Sequence, residues 1–134
     1  MTDELADLVR RRAGDRCEYC LLPQDVHGWR FEIDHIIAEQ HDGKTEESNL
    51  ALCCPRCNRH KGPNVGGIDP ATGRLVALYH PRQDTWNEHF AWDGPLIKPL
   101  TAVGRTTLLV LRMNDSIRVA ARMLLIEEGR FPPS

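Results

Sequence analysis

Two cysteine pairs and one Asp-His dyad are the residues whose types and spacing can do chemistry in this sequence. Cys17-Glu-Tyr-Cys20 and Cys54-Pro-Arg-Cys57 are both CxxC units. One such unit lets two thiolates reach the same ion from a tight turn, and two supply the four sulfurs of a tetrahedral structural zinc site. An ion held that way has no open position, so it cross-links rather than catalyses. A redox CxxC is the competing reading, but a thioredoxin-like motif expects one pair in a βαβ context. Cys53 either replaces Cys54 as a ligand or is a small buried apolar side chain, and its looser spacing to Cys57 favours the second role.

Between the pairs lies FEIDHII, residues 31–37, an apolar run with Asp34 and His35 at its middle. Burying either one unpaired is costly. An imidazole can deprotonate a water near neutral pH, and a carboxylate can hold a cation. Neighbours on a strand point to opposite faces unless the strand ends or bends, so the dyad is expected at a strand end.

The elements that must position these residues follow from local signals. Thr2 caps a helix with Asp3 and Glu4 in its first turn, Leu5, Leu8 and Val9 on one face and Arg10, Arg11 and Arg12 at its end; Gly14 stops it. CEYC is a knuckle-like turn, WRFEIDHII a strand, and AEQHDGKTEESN a loop. NLALCCPRCNRHKG starts apolar and becomes helical around Pro55, ending at Gly62-Pro63. GPNVGGIDPATG is rich in turn formers, RLVALYHP alternates like a strand, and FAWDGPLIK reads as a hairpin across Asp93-Gly94. Trp86 and Trp92 are expected to pack this β segment. Two helices complete the chain. Thr101 caps one running to about Met113, and Asn114 or Asp115 caps another to Glu128, with Ile117, Ala120, Ala121, Leu124 and Leu125 on its buried side.

At 134 residues, 41% hydrophobic and 27% charged, the chain reads as one soluble globular domain, residues 1–134, with a core at about 15–63 and an extension at about 64–134. No apolar stretch approaches a membrane span, and the first residues lack the apolar centre of a secretion signal, so the expected location is the cytoplasm. A net charge of −2 argues against nonspecific coating of nucleic acid. The distribution differs from the total: residues 32–47 are acidic, whereas Arg10, Arg11, Arg12 and Arg16 on one side and Arg56, Arg59 and Lys61 on the other form basic clusters able to grip phosphate locally. The first three arginines equally suit a helix C-terminus. His27, His80 and His89 have no spacing that demands metal, and His41 lies in the loop within reach of the dyad, with solvent as its default.

Taken together, CEYC, FEIDHII, the Asn49-Leu50 step, CPRCN and the Lys61-Gly62 that follows resemble the HNH endonuclease family, over about residues 17–62. The resemblance implies an α+β protein with a ββα-metal core, here with a structural four-cysteine zinc site of Cys17, Cys20, Cys54 and Cys57, an N-terminal helix, and a C-terminal β segment followed by two helices. It implies cutting or nicking of DNA with one divalent ion, Mg2+ or Mn2+. His35 would be the general base, Asp34 a ligand of the ion, Asn49 a brace of the intervening loop through backbone hydrogen bonds, and Asn58 a second ligand. Asn58 stands where the family often has His; its amide oxygen suits a hard ion. His60 is an alternative ligand or, with Arg56, Arg59 and Lys61, a DNA contact. The rival expectation is a noncatalytic zinc module that binds nucleic acid or a protein partner. Oligomeric state is not readable.

Overall fold

The computed structural model describes every residue except His27, Trp29 and Ser134. Trp29, at the head of the expected strand, and His27 therefore lie outside the described residues. The chain divides into two compact units, Met1–Val65 with His80–Asp84, and Gly66–Tyr79 with Thr85–Ser134.

In the first unit, helix α1 (Asp3–Ala13) starts where Thr2 Oγ1 accepts from Leu5 N and stops at Gly14, whose φ of 63° supplies the left-handed cap. Strands β1 (Glu32–His35) and β2 (Leu50–Cys53) pair antiparallel, with Asp34 opposite Ala51 and His35 opposite Leu50. Helix α2 (Pro55–Lys61) follows at once, with Pro55 in its first turn, where no N–H is needed. The order is thus strand, strand, helix. Val9, Leu22, Phe31, Leu50 and Leu52 form its apolar core.

The loop between the strands carries two 3-10 turns, Glu39–His41 and Glu47–Asn49, that its polar composition did not announce. Gly43 is obligatory there, because a Cβ would lie 1.7 Å from the Ile37 carbonyl oxygen.

In the second unit, β3 (Gly66–Ile68) pairs with β4 (Leu75–Ala77), and β5 (Phe90–Asp93) with β6 (Leu96–Pro99) as the expected hairpin. The strand β3 and the short helix α3 (Trp86–His89) were not expected. Trp86 stacks on Trp92 at 4.9 Å between ring centres. Helix α4 (Ala102–Val110) is capped by Thr101, and α5 (Ser116–Glu127) by Asp115.

The buried face of α5 differs from the one expected. Ile117, Ala120 and Leu124 are exposed, whereas Arg118, Arg122 and Leu125 are buried. The reason is hydrogen bonding. The turn after α4 leaves carbonyls that need donors, and Arg118 donates to Leu111 O at 2.6 Å and to Arg112 O, while Arg122 donates to Met113 O and, at 2.8 Å, to Pro95 O. Two guanidiniums thereby turn their own side of α5 inward and leave Ile117 and Leu124 facing outward.

Candidate functional site

The four paired cysteines are all buried, and their sulfurs lie within 4.8 Å of one another. Cys20 and Cys54 approach to 3.7 Å between sulfurs. A disulfide would need about 2 Å, whereas ligands on a tetrahedral zinc at about 2.3 Å stand about 3.8 Å apart. Two backbone N–H groups point at the cluster, Cys20 N to Cys17 Sγ at 3.5 Å and Cys57 N to Cys54 Sγ at 3.3 Å. Burial pushes the Cys17 and Cys57 thiols well up, so four thiolates need a cation to share this pocket. The donor set fits zinc. Cys53 is buried too, but its sulfur turns to the Cys54 carbonyl at 3.5 Å, and it is not one of the clustered four.

Asp34 and His35 end β1, and the alternation persists to the last residue. Asp34 is only 7% exposed, whereas His35 is half-buried and faces the loop. His35 Nε2 lies 2.8 Å from Thr45 Oγ1 and 3.7 Å from Glu39 Oε1. Asn49 is buried with its amide committed to the loop: Oδ1 accepts from Ile37 N at 2.8 Å, and Nδ2 donates to Ile37 O and Lys44 O at 2.9 Å each. Backbone closes the same joint, since Ile36 N donates to Asn49 O at 2.8 Å. The loop bearing Thr45 is thereby fixed beside the end of β1.

Two partners of Asp34 were missed in the sequence. Tyr19, the residue inside the first CxxC, donates its hydroxyl to Asp34 Oδ2 at 2.8 Å. Burial, and then the charge of Asp34, push the phenol well up, so it remains a donor. Lys61 is the other. It was expected to contact phosphate, yet it is 1% exposed, with Nζ 3.1 Å from Asp34 Oδ2, 3.4 Å from Oδ1 and 3.2 Å from the His35 carbonyl. One signal pointed there: Lys61 lies four residues after Cys57, hence on the helix face that Cys57 turns inward. Asn58 is one turn before Lys61 on that face and is half-buried; among the described residues its side chain makes no hydrogen bond.

The other basic residues fall into two groups. Arg59 is exposed, and Arg56 and His60 are half-buried on α2. Arg10, half-buried, and Arg12, exposed, are tied to backbone carbonyls, donating to Phe31 O at 3.0 Å and Glu47 O at 2.8 Å. Glu18, also within the first CxxC, accepts from Leu52 N at 2.8 Å and pairs with Arg82. His80 Nδ1 accepts from the Arg82 and Gln83 N–H groups at 3.2 Å each, a role its spacing did not disclose. His41 is exposed.

Residues 17–64 match the model of the family described as HNH endonuclease, so the resemblance read from the motifs holds over the segment that carries the cysteine cluster, Asp34-His35, Asn49 and Asn58. The Septu protein PtuB of Bacillus thuringiensis is 25% identical over 116 residues, which are 85% of this chain and 42% of that protein. The chain thus spans less than half the length of this relative. No solved structure matches. No helix among the described residues is long and apolar enough to cross a membrane.

Proposed function

We propose that this chain is a metal-dependent nuclease that hydrolyses a DNA phosphodiester, with His35 as its general base and with Asp34 and Asn58 as ligands of one divalent ion. The observation that supports it most is the junction at the end of β1. There a half-exposed imidazole, fixed at one nitrogen by Thr45, adjoins a buried carboxylate that already carries a cation, Lys61. The Lys61 ammonium marks a place where positive charge is stable, and a carboxylate with an amide oxygen is a hard-oxygen donor set, suited to Mg2+ or Mn2+. When bound, such an ion supplies charge neutralisation at the scissile phosphate and leaving oxygen.

The chain's own residues do the rest. The Glu39 carboxylate near His35 Nε2 favours a proton on that nitrogen, with Thr45 Oγ1 accepting it, which leaves Nδ1 as the lone pair that takes the proton from water. Asn49 holds the loop that carries Thr45, and so positions the imidazole. Arg59 and Arg56 on α2 are suited to backbone phosphates. In this reading Cys17, Cys20, Cys54 and Cys57 hold zinc that is structural, and Tyr19 links that centre to Asp34.

The ion pair itself favours one rival, a zinc module that binds nucleic acid or protein without cutting, because Lys61 neutralises the acid the ion would need. Plasmid nicking by the zinc-loaded chain in Mg2+ or Mn2+ separates them. His35→Ala should lower nicking by roughly 100-fold or more, with zinc content and melting temperature unchanged. Equal nicking by the variant would remove His35 from the mechanism, and no nicking by the parent with either ion would establish the rival.

A further inference from the structure

Lysine is almost never fully buried unless it is paired, and Lys61 makes its polar contacts within one small volume. It donates to the His35 carbonyl at 3.2 Å and to Asp34 Oδ1 at 3.4 Å, and forms an ion pair with Asp34 Oδ2 at 3.1 Å. The longer contact is a weak one. The carboxylate has about four acceptor sites, and Tyr19 takes only one at Oδ2. Asp34 is therefore a buried acid facing a point-charge monocation with one long contact, and among the described residues the Asn58 side chain, one turn away on the same helix face, makes no hydrogen bond.

We propose that Lys61 is the resident counter-cation of Asp34 in the ion-free chain, and that a divalent ion loads by taking a carboxylate oxygen from it. Lys61 thereby sets the ion concentration at which the site fills. The inference rests on the nuclease reading, since it takes Asp34 as a ligand. The exchange has a physical basis on both sides. A dication cannot settle beside an ammonium at hydrogen-bonding distance without strong like-charge repulsion, so Lys61 must give ground. It has the means: four rotatable carbons and a second anchor at the His35 carbonyl let the ammonium leave one oxygen without leaving the protein. The residue thus orients the Asp34 carboxylate while the site is empty, and opposes filling by weakly bound ions.

Mn2+ binding to the zinc-loaded chain, read from the loss of the free-ion electron paramagnetic resonance signal, tests this without reference to catalysis. Lys61→Met and Lys61→Gln should each bind Mn2+ at least about tenfold more tightly than the parent, the scale on which a neighbouring like charge disfavours a cation. Lys61→Arg should not gain affinity, and Asp34→Asn should lose the site. The glutamine variant keeps a donor for Asp34, and zinc content together with a melting curve verifies that each variant is folded. Parent-like or weaker Mn2+ affinity in both uncharged variants, with Asp34→Asn still abolishing binding, overturns the role of Lys61 and leaves the nuclease reading standing. Absence of any Asp34-dependent Mn2+ binding in the parent and all variants overturns that reading, and the proposal with it.

Discussion

Each unit buries an aspartate against a basic side chain, and the two pairs are built for different ends. Asp69, wholly buried in the second unit, receives Arg105 in bidentate fashion, Nε to Oδ1 and Nη2 to Oδ2 at 2.9 Å each, together with Ala71 N at 3.0 Å and Thr72 Oγ1 at 2.9 Å. Four donors fill its acceptor sites, and the planar fork of arginine fixes the geometry. The carboxyl is held well below the usual range, chiefly by Arg105. Asp34, in the first unit, has a hydroxyl and a point-charge ammonium, one of whose contacts is long. A saturated acid closes a turn. An unsaturated acid, beside a half-exposed imidazole, keeps acceptor capacity in reserve.

The largest test of this contrast is zinc removal. With the cysteine quartet holding zinc as proposed, chelation or Cys57→Ser should strip the ion and unfold the first unit, because metal binding in small zinc modules carries on the order of 10 kcal/mol. Amide hydrogen exchange should show β1, β2 and α2 losing protection while α4 and α5 retain theirs. Equal loss in both units would mean that the cysteine cluster stabilises the whole chain. Tyr19 adds a sharper expectation: because it lies between two cysteines and donates to Asp34, zinc loss should also abolish Mn2+ binding.

Divalent ion is the next lever. At about 100 times its dissociation constant, an ion bound only to the folded state adds about 2.7 kcal/mol. Thermal unfolding with Mn2+ should show this gain in the parent and in Asp69→Asn, and not in Asp34→Asn. A gain that disappeared with Asp69→Asn would reverse the assignment of roles.

What could be read from the sequence follows the range of the interaction. Thr2, Gly14, Pro55, Thr101 and Asp115 act within a turn of themselves, and the helix ends they mark are where the structure has them. The cysteine quartet was legible because CxxC spacing encodes a turn and the doubling encodes a shared ion. Lys61, beyond its spacing to Cys57, and the inner face of α5 were hidden, because lysine and arginine default to solvent. Only the distant Asp34 carboxylate and the Leu111, Arg112 and Met113 carbonyls recruit them inward. The strand β3 was hidden by Gly66 and Gly67, which read as turn, and α3 by its four-residue length. Periodicity reports the average fate of a residue type, and a functional or buried ionic site is where that average fails.

Asp69→Asn is the smaller perturbation of the comparison. It leaves Arg105 facing an amide in place of a carboxylate. That arginine side chain is 34% exposed, so water recovers part of the loss. The expected fall in melting temperature is on the order of 5 °C for a unit of this size, with Mn2+ binding and nicking unaltered.

Acid should erase even that difference, and the sign follows from the direction of the shift. The folded-state value of Asp69 lies below its unfolded value, so its contribution is complete above the unfolded carboxyl value of about 3.9 and fades as pH falls toward the folded one. Arg105 is shifted upward and stays charged throughout this window. Zinc thiolates also take up protons in acid, but they do so in both proteins and drop out of the comparison. The gap in melting temperature between the parent and Asp69→Asn should therefore be constant above about pH 5 and close below about pH 4. A gap that widened in acid would mean that Asp69 holds its proton more tightly folded than unfolded, and the turn at residues 69–74 would then not be fastened by an ionised carboxylate.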